Sequence, residues 1–129
     1  MEAGVGGSTT AAAEGETVRA LQALLGKVRF YIDHCQEDRK QIDGEFQRDQ
    51  QEVPALAYEI HRFATNPLRK ILDSVNAIRS REAQFVARPG LLDDYHAVLQ
   101  AAKAEERMCN DLIDRFAGRL YNRVIALKT

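Results

Sequence analysis

The side chains able to do chemistry in this sequence are few: two cysteines, Cys35 and Cys109, and three histidines, His34, His61 and His96. The cysteines lack the short spacing of a metal or redox motif, and two are too few for a disulfide scaffold, so both are expected as reduced core residues. Cys109 precedes Asn110 and Asp111, a set that offers a nucleophile only if the thiol ionises. Burial on an apolar seam raises a thiol's pKa and argues against that. Three residues before each histidine stand Tyr31, Tyr58 and Asp93, whereas a carboxylate di-iron bundle uses Glu-x-x-His pairs on facing helices. There is no glycine-rich phosphate loop, nucleophile elbow or HExxH helix. The expectation is a non-enzyme with no catalytic residue, no metal ligands and no cofactor.

Charge and hydropathy narrow the partners. The formal net charge of −1 conceals a basic lean in the middle third, where residues 53–90 carry six basic side chains against three acidic ones. Arg62, Arg69, Lys70, Arg79, Arg81 and Arg88 make up that row. It is too sparse for nucleic acid, though it could steer an acidic partner. No apolar run approaches the roughly 18 residues of a membrane span, and the first residues lack both the basic start and the apolar stretch of a secretory signal. A cytoplasmic location is expected.

The elements that would position these residues can be read from apolar periodicity. Residues 1–16 are small and glycine-rich; ordering them would cost entropy for little burial, which predicts a disordered tail. From Thr17 the row Val18, Leu21, Leu25, Val28, Ile32, Cys35, Arg39, Ile42, Phe46, Asp49 and Val53 alternates steps of three and four, as in a helix held along one seam by partner helices. Pro54 ends or bends it. A second row, Leu56, Ile60, Phe63, Leu68, Ile71, Leu72, Val75, Ile78 and Phe85, predicts a middle helix kinked or broken at Pro67. Arg88-Pro89-Gly90 is a stop. The third seam is Leu92, Tyr95, Leu99, Ala102, Glu106, Cys109, Ile113, Phe116, Leu120, Arg123 and Leu127. The expected fold is all-α: an elongated up-down-up three-helix bundle over residues 17–129, with coiled-coil-like heptad seams and helices over about 17–52, 55–87 and 91–128.

In such a bundle, residues equally far from the starts of the first and third helices lie at one height. That aligns Cys35 with Cys109, a reduced core layer or a disulfide pair, and Asp49 with Arg123, a charged pair that would fix register. Arg39 falls opposite the Pro67 region, where it could bind the Phe63 carbonyl left without its helical donor. Phe30, Tyr58, Phe63, Phe85 and Tyr121 lie partly off the best seams, and with Arg69 and Arg81 they form the candidate partner surface.

The plan of seams is similar to spectrin-type repeats, to three-helix tubulin chaperones and to the three-helix N-terminal domains of trafficking proteins, although spectrin's habitual tryptophan is absent. The resemblance is one of fold plan and carries no function. With long seams, unclaimed aromatics and an empty catalytic inventory, the chain is expected to be a non-enzymatic scaffold or adaptor subunit of a cytoskeletal or trafficking complex, binding another helical protein or a second copy of itself. The alternative is a redox- or ligand-responsive bundle built on Cys35 and Cys109.

Overall fold

The computed structural model describes residues 2–48 and 53–128, with side chains over 12–47 and 53–127. The described residues hold five helices and no strand: α1 (Glu2–Arg48), α2 (Val53–Thr65), α3 (Pro67–Arg79), α4 (Glu82–Val86) and α5 (Pro89–Lys128). α1 packs along α3 and α5, α3 also meets α5, α2 closes on α1 and α3, and α4 sits on α5. Cys35 meets Cys109, Asp43 meets Arg115 and Phe46 meets Arg119, with partners 72 to 74 residues apart. Because the partners ascend together, α1 and α5 run parallel. Tyr31 lies under Lys70, while Leu24 and Lys27 share a groove with Ser74 and Ala77, so α3 runs the other way.

Buried positions of α1 fall at Leu21, Leu25, Val28, Ile32, Cys35, Arg39 and Ile42. Across from them lie Leu56, Ile60, Phe63, Leu68, Ile71 and Ile78 of α2 and α3, and Tyr95, Val98, Ala102 and Leu112 of α5. Each large apolar side chain removed from water in this way contributes about 1.5–3 kcal/mol. Phe85 of α4 is fully buried and stacks on Tyr95 with ring centroids 4.8 Å apart, closing one end of the core.

Several features depart from the expectation. α1 starts at Glu2 and runs through the segment read as a disordered tail, and Glu14 pairs with Arg88 at 2.6 Å. A helix already nucleated by packing at Leu21 propagates cheaply into the alanine run at 11–13. The middle helix is broken at Pro67, one of the two forms the sequence predicts, but it is broken a second time and so is three pieces. Asn66, with φ −122° and ψ −79°, separates α2 from α3, and Pro67 takes the first helical position of α3, where its missing N–H costs least. A second break falls at Ser80 and Arg81, where the Ser80 hydroxyl donates to the Ala77 carbonyl and the Arg81 N–H bonds only three residues back, to Ile78. Serine competes for backbone carbonyls in this way and ends helices. α5 starts earlier than expected, with Pro89 in its first turn. Its buried face is also rotated: Leu91, Glu105 and Leu112 are buried where Leu92, Glu106 and Ile113 were expected, and those three are only partly covered.

Candidate functional site

Halfway along the α1 and α5 contact, four side chains converge in the core. On α1, Cys35 and Arg39 lie one turn apart; on α5, so do Glu105 and Cys109. Residues four apart share a helix face. Cys35 and Cys109 are fully buried, with Glu105 at 4% and Arg39 at 8% exposure. The two Sγ atoms are 3.6 Å apart, and the Cys109 thiol donates to Glu105 Oε2 at 3.4 Å. Arg39 grips the same carboxylate with both edges of its fork, Nε donating to Oε2 at 2.6 Å and a terminal N–H to Oε1 at 3.1 Å.

This geometry sets the electrostatics. The hydrogen bond to Glu105 pushes the Arg39 guanidinium up, against the desolvation that burial imposes, so Arg39 stays a cation in the core. Its hydrogen bond with Cys35, and then burial, push the Cys109 thiol far up. A thiol so held is protonated at neutral pH and is a poor nucleophile. A disulfide would need the sulfurs to approach by about 1.5 Å, to a bond length near 2.05 Å. Both cysteines are free. Outside the centre, Arg115 bridges Asp43 of α1 at 2.9 Å and Asp111 of α5 at 3.2 Å. Arg115 and Arg119 lie over the Phe46 ring. Arg39, Ala104, Met108 and Asp111 line an open cleft of about 440 Å³ over the centre.

The equal heights read from the sequence thus place Cys35 against Cys109. Arg39 does not bind the Phe63 carbonyl; it turns to Glu105 on α5. Its partner is 66 residues on, eight fewer than separate the two cysteines: Arg39 leans toward its helix N-terminus, to the level of the cysteines, and the Glu105 carboxylate, which bonds Cys109 one turn on, meets it there. Glu105 itself was missed in favour of Glu106. The available signal was the demand of a seam arginine for an acid on the facing helix. Asp49 lies outside the described residues, so its pairing with Arg123 is not part of the described structure; Arg123 is exposed.

Of the candidate partner surface, Phe63 and Phe85 are core residues, 1% and 0% exposed. Arg69 pairs with Asp73 on its own helix, and Arg81 bonds the Gln84 side chain. Phe30, Tyr58 and Tyr121 are exposed but sit on three different helices. The stronger exposed apolar surface is at the end of α5, where Leu120, Val124 and Leu127 face Val53 and Pro54 across a groove of about 520 Å³. No helix among the described residues is long and apolar enough to cross a membrane.

Fold and centre define the class as an all-α protein with a buried layer of thiols and one ion pair. No known family, no curated protein and no solved structure matches this chain.

Proposed function

We propose that this chain is a non-enzymatic interaction subunit, a scaffold or adaptor of a cytoplasmic cytoskeletal or trafficking assembly. Its helices are read as an up-down-up three-helix bundle with coiled-coil-like seams, and the end of α5 receives an amphipathic helix from a partner protein. The observation that carries this is the groove between Val53 and Pro54 of α2 and Leu120, Val124 and Leu127 of α5, beside which Tyr121 and Ile125 are also exposed. Apolar residues at positions 120, 124 and 127 continue a seam past the last buried residue of α5, and helix-in-groove partners are anchored through such i, i+4, i+7 faces. Arg123 lines both this groove and the neighbouring one, which favours a partner helix with an acid beside its apolar face. Free buried thiols support a reducing compartment.

The test compares wild type with Leu120→Glu and Val124→Glu, which alter exposed positions and should leave far-ultraviolet circular dichroism unchanged. The expected result is one cross-linked partner whose mapped contact is a helical segment with acidic flanks, and whose binding falls at least about 10-fold in both variants. Undiminished binding overturns the groove. A dimer by light scattering that either variant dissolves gives the groove to a second copy and overturns the foreign partner.

A second reading is favoured by the 3.6 Å between Cys35 and Cys109: a redox-responsive bundle in which peroxide-class oxidants join α1 to α5 through a disulfide. Two freely alkylated thiols after peroxide treatment and unfolding would refute it.

A further inference from the structure

We propose that Cys35, Glu105 and Cys109 form a binding site for a divalent, thiolate-seeking cation of the zinc class, held between α1 and α5. One ligand atom from each lies within 4.8 Å of the other two. A tetrahedral zinc ion with Zn–S near 2.3 Å and Zn–O near 2.0 Å separates two sulfurs by about 3.8 Å and a sulfur from an oxygen by about 3.5 Å. The distances here are 3.6 Å between the sulfurs and 3.4 Å from Cys109 Sγ to Glu105 Oε2. Two edges of the ligand triangle therefore already have nearly the length the ion requires, and the third, from Cys35 to the Glu105 carboxylate, lies within 4.8 Å and would close by a side-chain adjustment on loading. What now holds its edges together is a pair of thiol hydrogen bonds, so the ion would take the place of two shared protons.

Charge points the same way. With both thiols protonated, the Arg39 cation balances the Glu105 anion and the buried cluster is neutral. Loading is Zn²⁺ plus two thiols giving a zinc dithiolate and two protons released to solvent, and the cluster is again neutral. A monovalent ion would leave a buried charge after two ionisations, which the interior penalises. Two sulfurs select zinc over magnesium or calcium, which take oxygen ligands. Arg39 holds both Glu105 oxygens and fixes the carboxylate's orientation, the service a second shell gives a metal ligand. Arg39, which touches Glu105, also lines an open cleft, and a water entering from that side would take the fourth position. Sequence spacing concealed the site because its ligands come from two helices far apart in the chain.

The full-length chain, reduced with a phosphine and stripped of metal, is titrated with Zn²⁺ against a chromophoric chelator and weighed by native mass spectrometry. The expected result is one ion per chain, with a mass gain of one zinc less two protons. Co²⁺ should give a thiolate charge-transfer band and tetrahedral visible bands. C35A and C109A should each weaken binding at least about 100-fold and E105Q about 10-fold, with circular dichroism verifying the fold. Should a variant not fold, protection of both wild-type cysteines from alkylation by one equivalent of Zn²⁺ is the equivalent reading. No uptake at micromolar Zn²⁺, a cobalt spectrum without thiolate bands, undiminished affinity in folded C109A, or unprotected cysteines would each overturn the proposal. So would a chain isolated with a Cys35–Cys109 disulfide that takes up no zinc after reduction.

Discussion

Removing one member of the Arg39–Glu105 pair should cost far more than removing both. The pair is bidentate, at 2.6 and 3.1 Å, with side chains only 9% and 4% exposed. Taking away Glu105 alone leaves a guanidinium buried without its counter-ion, a state that costs about 3–5 kcal/mol. Against a total stability of about 5–15 kcal/mol for a domain, that is at least about a fifth of the whole. Replacing both by apolar side chains of similar length, R39M with E105L, removes the desolvation penalty together with the attraction and should return stability to within about 1 kcal/mol of wild type, or above it. The assay is urea unfolding of wild type, E105L, R39M and the double variant, followed by circular dichroism in reductant without metal. The cycle should give a coupling of about 3 kcal/mol or more, at or above the top of the range usual for residues in contact. A single-variant cost below about 1 kcal/mol would refute the buried pair, as would single costs that simply add.

Three further outcomes are expected from the same geometry. Cys109 keeps its proton in the folded chain, pushed up by Cys35 and burial, while an unfolded thiol ionises near pH 8.5. Its contribution is therefore fully present below about pH 8 and is lost at about 1.4 kcal/mol per pH unit above 8.5. C109A should flatten that slope in reduced, metal-free protein, whereas Tyr95, also raised by burial, adds its own loss only above about pH 10. Phe85→Ala should destabilise by about 3–5 kcal/mol in denaturant unfolding, since it empties a fully buried ring site stacked on Tyr95. Gly26→Ala and Gly44→Ala should each stabilise by about 0.5–1 kcal/mol, because a Cβ at either position meets nothing within 4 Å and glycine inside a helix is costly; a loss of stability in either would contradict the packing of α1.

The legible part of this fold is the part governed by one periodicity. Along α1 the row from Leu21 to Ile42 reads residue for residue as the buried stripe, because no turn or proline interrupts it. Counting heights between two uninterrupted helices then brings Cys35 to Cys109. The break at Ser80 and Arg81 is not visible, since Ile78 and Phe85 are seven apart and continue an unbroken pattern on paper. A serine hydroxyl and a three-residue hydrogen bond decide that break, and periodicity records neither. On α5 the distinction between Glu105 and Glu106 depends on a rotation of the buried face that two adjacent acids leave undetermined. Arg39 stands out as an anomaly on its seam, but its reach along the helix axis sets its partner, and height counting applies to short side chains.

The parallel run of α1 and α5 has a mechanical consequence. α1 begins at the end of the molecule where α5 also begins, and α5 finishes at the opposite end, about 50 Å away for the 35 or so residues between Arg88 and Arg123 at 1.5 Å per residue. Tension applied between Glu2 and Lys128 would therefore slide the two helices past each other lengthwise. The links from Glu14–Arg88 through Arg39–Glu105 to Asp43–Arg115 would be loaded together in shear, rather than peeled apart one by one. Between anchors fixed near Glu2 and Lys128, the paired helices would act as a stiff strut that resists extension.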